Sequence, residues 1–293
     1  MSLLSLSELC IVIYPEQLVL LNVTGNRTLR GLKRHVHART RIPCEAAGDD
    51  DMPWSGAIRT LATSLPRLAR RNMKVTVILS NQFMHYVLVP WCDKLSGKNE
   101  EMVYARHCFG EVYGDAADAW ELRLSPDRAG VPALASAVDK KLLDELRGLL
   151  VHAGVDIKSI QPHLMAAHNI FHASLHGRSA WLALLEPGNL CLVMLHKGQW
   201  TWIRKMRIGE AWHEELPMIL EREECLAGTE AAVNEVLLWT PHLHDGDVLH
   251  ADLEPADNAI PASRRWNFQH LKASQKYGCQ LEYDGLLSMA AGS

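Results

Sequence analysis

Residues 180–209 read AWLALLEPGNLCLVMLHKGQWTWIRKMRIG. Two short turns, Pro187–Gly188 and Lys197–Gly198, cut this stretch into the apolar runs Ala180–Leu185, Leu190–Leu195 and Trp200–Ile208. Pro presets φ near −65° and Gly tolerates φ > 0, so Pro-Gly suits the centre of a type II turn. Short apolar runs joined by such turns predict an antiparallel meander. A helix is excluded, because two Gly-containing turns interrupt it. Regular alternation puts Trp200, Trp202 and Arg204 on one face of the third strand, either packed under a helix or forming a groove for a partner.

The same layout occurs near the N-terminus. Glu8–Tyr14 and Gln17–Asn22 are apolar runs separated by Pro15–Glu16, and Thr28–His37 is a more polar third strand. The two copies share a pattern and no recognisable identity. After a loop at Cys44–Pro53, Trp54–Arg71 shows helical spacing, with Pro66 predicting a kink or two shorter helices. Lys74–Leu79 (KVTVIL) reads as a buried strand. Strand–strand–strand–helix–strand opens a ribonuclease-H-like α/β unit. Next come strand Met84–Val89, helix Lys98–Tyr113, and strands Ala119–Leu124 and Val131–Val138. The helix carries Met102, Ala105, Phe109 and Val112 on one face. Asp139 can cap a helix that runs to His152, with Gly154 as its stop. Strand Val155–Ile160 and a helix from Gln161–Pro162 to Leu175 lead into the meander. Beyond it the pattern predicts helix Glu210–Cys225, strand Val233–Trp239, a loop-rich segment, a short helix at Trp266–Lys276 and a frayed end at Met289–Ser293.

The chain has 293 residues, 48% of them hydrophobic and 22% charged, with a formal net charge of −4. That allows two domains with proper cores and offers no basic stripe for nucleic acid. The local run Arg27, Arg30, Lys33, Arg34, Arg39 and Arg41 reads as a solvated strand and loop. The seven cysteines (Cys10, Cys44, Cys92, Cys108, Cys191, Cys225 and Cys279) are scattered and contain no C-x-x-C. They imply buried thiols in a reducing cytoplasm. The N-terminus lacks a basic leader region, and no apolar run is long enough to span a bilayer. A soluble, cytoplasmic protein is expected, without direct membrane insertion and reaching a membrane only through a partner.

From Lys74 onward the order of elements and their punctuation become specific. Strand Val75–Ser80 leads to a run ending in Val89–Pro90, and a helix opens on the acidic pair Glu100 and Glu101. The aromatic-led strand Trp120–Leu124 follows, then an Ala-rich strand with Ala135 and the helix start Val138–Asp139–Lys140, closed by Ala153–Gly154. Over about Leu9 to Gly209 this resembles the actin-like proteins of type IV pilus assembly and type II secretion, the group of PilM, GspL and MshI, related to FtsA. The resemblance implies a two-lobed actin-like (ribonuclease-H-like) α/β fold. The first lobe would be 1–175, with a small inserted subdomain near 84–157, and the second a reduced lobe at 176–293.

Active relatives in that group bind ATP in the cleft, with a carboxylate-and-Gly turn in each lobe for phosphate and Mg²⁺ and a Gly-Gly turn beside the adenosine. Phosphate oxygens need converging N–H groups, and Gly permits their approach. This sequence departs at all three places. The first turn is Tyr14–Pro15–Glu16, without Gly, and Pro15 has no N–H. The second is Glu186–Pro187–Gly188–Asn189, and the third is Thr240–Pro241. Tyr14, Glu16, Glu186, Gly188 and Asn189 are therefore assigned as degenerate cleft turns, with no catalytic residue and no cofactor. The expectation is a pseudo-ATPase scaffold binding a PilN-like segment of a membrane-anchored pilus or secretion protein. The alternative is an ATPase or small-molecule kinase using the cleft with ATP and Mg²⁺, Glu186 being its metal-side carboxylate.

Three further clusters have plain explanations. His168, His172 and His176 recur every four residues in a chain with 15 histidines and read as a helix face. His242, His244, Asp245, Asp247, His250 and Asp252 read as a polar loop that could collect a metal only adventitiously. Glu214, Glu215, Glu221, Glu223 and Glu224 read as a solvated helix face.

Overall fold

The computed structural model describes residues 6–28, 31–46, 48, 51–70, 73–125, 128–228, 233–240 and 266–271. The first apolar run forms β1 (Leu6–Ile13), followed by β2 (Gln17–Thr28) and β3 (Gly31–Pro43). Both faces of β1 are covered, with Leu9 to Tyr14 all buried, as an unbroken apolar run requires. β2 pairs antiparallel with both β1 and β3. The β2–β3 hairpin runs well past the expected Asn22, because ladder pairing continues through polar sequence as far as Thr28 opposite Gly31. Helix α1 (Ser55–Leu68) is a single helix. The expected break at Pro66 is absent because Pro66 falls in the last turn, where the missing N–H costs one terminal bond. β4 (Lys74–Leu79) returns parallel to β1.

The chain then leaves this sheet for a three-stranded one. Its strands are β5 (Met84–Val89), β6 (Trp120–Ser125) and β7 (Ala133–Asp139), in the order β5-β7-β6. Between β5 and β6 lies α2 (Lys98–Tyr113), which buries Ala105 and Phe109 against the sheet. Val112, expected on that buried face, is exposed. α3 (Lys140–His152) is capped by the Asp139 carboxylate, which accepts from Lys141 N at 2.8 Å. β8 (Asp156–Pro162) rejoins the first sheet parallel to β4, completing the order β3-β2-β1-β4-β8. α4 (His163–Leu175) follows directly.

The meander then forms β9 (Ala180–Glu186), β10 (Asn189–His196) and β11 (Gln199–Arg207). After α5 (Trp212–Ala227), the parallel strands β12 (Glu235–Trp239) and β13 (Asn267–His270) complete a second five-stranded sheet. Its order, β11-β10-β9-β12-β13, repeats the first sheet strand for strand. β13 replaces the start of the helix expected at 266–276, because pairing with β12 supplies the ladder that its short polar sequence does not announce. The expected frayed end at 289–293, and the His242–Asp252 cluster, lie outside the described residues.

Alternation along β9 divides the core. Ala180, Leu182 and Leu184 face a cluster that continues through α4, where Phe171 meets Trp239 of β12 edge-on at 4.6 Å, into the first sheet. Trp181, Ala183 and Leu185 face α5 through Trp212, Leu216 and Leu220. The third strand breaks this alternation. Leu195 pairs with Trp200 and Met194 with Trp202, so a bulge at Thr201 sends the two indoles to opposite faces. The shared face expected for Trp200 and Trp202 does not exist. Trp200 joins the inter-sheet core, whereas Trp202 and Arg204 reach the buried Glu223 of α5. Glu223 is thus no part of a solvated acidic face.

Both meander turns use positive φ. Gly188 has φ 68°, as a Pro-Gly type II turn requires, while Lys197 and Gly198 at 51° and 79° make a type I′ turn. A Cβ on Gly198 would stand 2.7 Å from Gly177 N, whereas one on Gly188 would meet nothing within 4 Å. Gly188→Ala should therefore cost only its conformational strain, about 1 kcal/mol. Gly198→Ala should cost at least twice as much in urea unfolding, because backbone must move.

Candidate functional site

The two equivalent turns, Tyr14–Gln17 and Glu186–Asn189, close the first hairpin of each sheet. Around the second turn the chain builds a buried polar cluster. Glu186 ends β9 and is 2% exposed. Its carboxylate accepts from Ser80 Oγ at 2.7 Å, from Asn81 N at 3.0 Å to each oxygen, and from Asn189 Nδ2 at 3.4 Å. His163 Nδ1 completes the set on Oε1. Ser80 and Asn81 directly follow β4, and His163 is the first residue of α4, so all three are first-lobe groups. Burial alone would push the Glu186 carboxyl up. The His163 imidazole and the donors from Asn81 and Ser80 outweigh it and hold the carboxyl below its usual 4.5.

The donors are themselves fixed. Ser80 N donates to Ile13 O at 2.9 Å, which ties the end of β4 to β1. Asn81 Oδ1 accepts from Tyr86 OH at 2.7 Å and from Leu164 N at 3.1 Å, capping α4. Gln82 Nε2 reaches Pro187 O at 2.9 Å. From β11, Lys205 Nζ donates to Asn81 O at 2.9 Å and to Met84 O. Burial pushes the Lys205 ammonium down in pKa and the Tyr86 hydroxyl well up. Residues 80–84 are thus gripped by the second lobe on both sides.

Of the five residues assigned from sequence, three converge here. Glu186 is the hub, Asn189 is its neighbour, and the buried Tyr14 sets its ring edge-on to His163 at 6.2 Å. Glu16 and Gly188 are exposed and make no contact with the carboxylate, because each occupies the outer corner of its turn. Sequence reasoning missed Ser80, Asn81, His163 and Lys205. These residues do not fit a magnesium phosphate. Glu186 is already met by first-lobe donors, and Pro15 and Pro187 remove N–H groups from the two turns.

A second feature lies beside this cluster. A cleft of about 330 Å³ separates the three-stranded sheet from α3, β8 and α4. Leu79, Val138, Ile157, Ile160 and Met165 are among the apolar residues that line it. Arg147 of α3 bridges to Glu121 of β6 through two contacts of 3.2 Å and, as the largest influence, holds that carboxyl down. The histidines of α4 form a file instead of a chelate. The His168 and His172 rings lie 5.8 Å apart, His172 and His176 6.1 Å, and His168 packs on Trp200. Among the described residues no three potential ligands group to hold a metal, and none of the described helices is long and apolar enough to cross a membrane.

No protein-family model matches the chain, and no curated protein matches it in sequence. Solved structures do. The cytoplasmic domain of EpsL, an inner-membrane component of the type II secretion system of Vibrio cholerae, aligns over 98% of this chain and 95% of its own at 11% identity, TM-score 0.57. The PilM-PilN type IV pilus biogenesis complex aligns over 97% and 94% at 15% identity, TM-score 0.64. A Bacteroides thetaiotaomicron protein with an actin-like ATPase fold and unknown function aligns over 85% and 87% at 8% identity, TM-score 0.53. The chain therefore has the two-lobed actin-like fold, with the three-stranded sheet inserted in the first lobe.

Glu186→Gln would set an amide NH₂ against groups that already donate. It should destabilise the protein by roughly 3 kcal/mol in denaturant unfolding, because buried donors and the new amide N–H groups are left unsatisfied. A second prediction concerns acid. His85, stacked on Trp120 at 3.6 Å, is pushed down from 6.5 to about 4 by burial and by Lys205. The unfolded chain takes up this proton first, so stability is lost as pH falls from about 6.5 towards 4. Glu186, with its lowered carboxyl, adds a loss of the same sign further down. The melting temperature should fall over this range, and His85→Phe should flatten the fall above pH 4.

Proposed function

We propose that this protein is a non-catalytic actin-like scaffold that holds a segment of a membrane-anchored partner at a pilus or secretion platform. The observation that carries this reading is the occupied state of Glu186. Its carboxylate, the expected metal-side group, is spent on tying the lobes together. The cleft between the first lobe and the inserted sheet, by contrast, offers an apolar lining with charged groups at β6 and α3. An extended peptide burying aliphatic side chains suits such a surface. The likeness to a PilM-PilN complex supports a PilN-like segment as the occupant. In this reading the protein works in the cytoplasm and is recruited to the inner membrane by that partner.

The corresponding division of the chain is a first lobe of 1–175 and a reduced second lobe of 176–293. Within the expected insertion of 84–157, the strands of the three-stranded sheet take Met84–Asp139, and β8 pairs back with β4.

Mg-ATP should leave the melting temperature unchanged. A synthetic peptide matching the cytoplasmic N-terminal segment of a PilN-like membrane protein should raise it. Ser136→Trp, which fills the cleft floor, should abolish that rise. A shift with Mg-ATP that disappears in Glu186→Ala would replace the scaffold by the nucleotide-binding alternative.

A further inference from the structure

On the inserted sheet, Glu121, Arg123, Ser136 and Val138 face the cleft described above, whereas Leu124 and Ala133 occupy alternate positions and face the other way. On that second side a pocket of about 50 Å³ opens between the first turn of α2 and the segment that follows β5. Pro90, Trp91, Leu95, Tyr104 and Leu124 are among its lining residues, and Trp91 is 48% exposed. The volume is too small for a nucleotide and suits the end of one side chain.

One carboxylate lines this aromatic and apolar pocket. Glu100 and Glu101 both stand in the first turn of α2, but only Glu100 is used by the fold. It accepts from Ser96 N at 2.8 Å and from Ser96 Oγ at 3.1 Å, closing the turn before the helix. The half-buried Glu101 carboxylate makes no hydrogen bond or ion pair among the described residues, and no Lys or Arg lines the pocket. The helix N-terminus favours a carboxylate in this turn. It does not account for placing that carboxylate beside an indole and a phenol that share its pocket. A carboxylate that shares a small pocket with aromatic rings and an aliphatic wall attracts a cation on an alkyl stem.

We infer that this pocket binds a lysine or arginine side chain presented by a basic peptide segment of a partner protein. The stem lies along Pro90, Leu95 and Leu124, and the cation meets Glu101 beside Trp91 and Tyr104. The site is separate from the cleft on the opposite side of the sheet and does not depend on what occupies it.

The test uses the full chain labelled at its tryptophan indoles, with the Trp91 resonance assigned by its loss in Trp91→Phe. It is titrated with the capped peptide Ala-Ala-Lys-Ala-Ala and with the same peptide carrying norleucine in place of lysine. The lysine peptide should move the Trp91 indole signal at concentrations about fivefold lower than the norleucine peptide. Glu101→Gln should erase that difference. Glu101→Lys, which puts a cation in the pocket from within, should abolish the response while the other indole signals keep their positions. No movement of Trp91 with the lysine peptide would overturn the proposal. So would a norleucine peptide that acts equally well, which would mark a merely apolar pocket, or an unchanged preference in Glu101→Gln.

Discussion

The Glu186 carboxylate lies out of water where the two five-stranded sheets meet, and the first lobe supplies the groups that make this tolerable. Removing a carboxylate from water costs several kcal/mol, and that cost is offset only when its lone pairs are met in good geometry. Here a serine hydroxyl, a backbone N–H and an imidazole meet it, all from the residues directly after β4 and the start of α4. Lys205 reaches the same segment from β11 and binds carbonyl oxygens on it. Residues 80–84 are also the bridge by which the chain leaves the first sheet for the inserted one. The buried Glu186 and the partly buried Lys205 of the second lobe therefore both hold the segment that links the first sheet to the inserted one.

The repeat of strand order makes the contrast between the lobes informative. Tyr14 and Glu186 stand at matching points, each the last residue before a Pro-containing hairpin turn. Tyr14 is buried with its ring edge against His163. The same imidazole thus packs on the first-lobe turn and bonds the second-lobe turn. A cleft built to receive phosphate would leave such groups facing an open space between the lobes. This arrangement lets them face each other. On the scaffold reading, binding has moved from between the lobes to the seam between the first lobe and its insertion, where an apolar lining remains open.

Much of this architecture was legible in the residues. The meander, the Asp139 cap, the Gly154 stop with φ 68° and the helix–strand order from Lys74 to Leu175 follow from local chemistry that tertiary packing does not override. What was hidden depends on partners distant in sequence. β13 is a strand because β12 lies beside it. Trp200 and Trp202 part company because one extra residue, Thr201, enters the ladder, and no alternation rule signals a bulge. Glu223 is buried because Trp202 and Arg204 reach it across the sheet. Glu186 was found by its place in a turn, yet Ser80 and Asn81 lie more than 100 residues before it in the chain. The local signs at their end were a polar pair, Asn81–Gln82, after a mostly apolar strand, and a histidine at the first position of a helix.

A purely apolar plug could hold two lobes together with comparable strength, so the retention of charge here needs a separate reason. Apolar contact is non-directional and tolerates sliding. The Glu186 cluster does not, since Asn81 is engaged through its N–H, its carbonyl and its side-chain oxygen at once, with partners on β9, β11, β5 and α4. Parting the lobes would strip a buried carboxylate and a partly buried ammonium of their partners together. Such a network opens as a whole or stays shut, because each unmade bond leaves a polar group in low dielectric. On the scaffold reading, such a network would hold the two lobes at one relative setting, which a rigid adaptor requires and a nucleotide-driven clamp would have to give up.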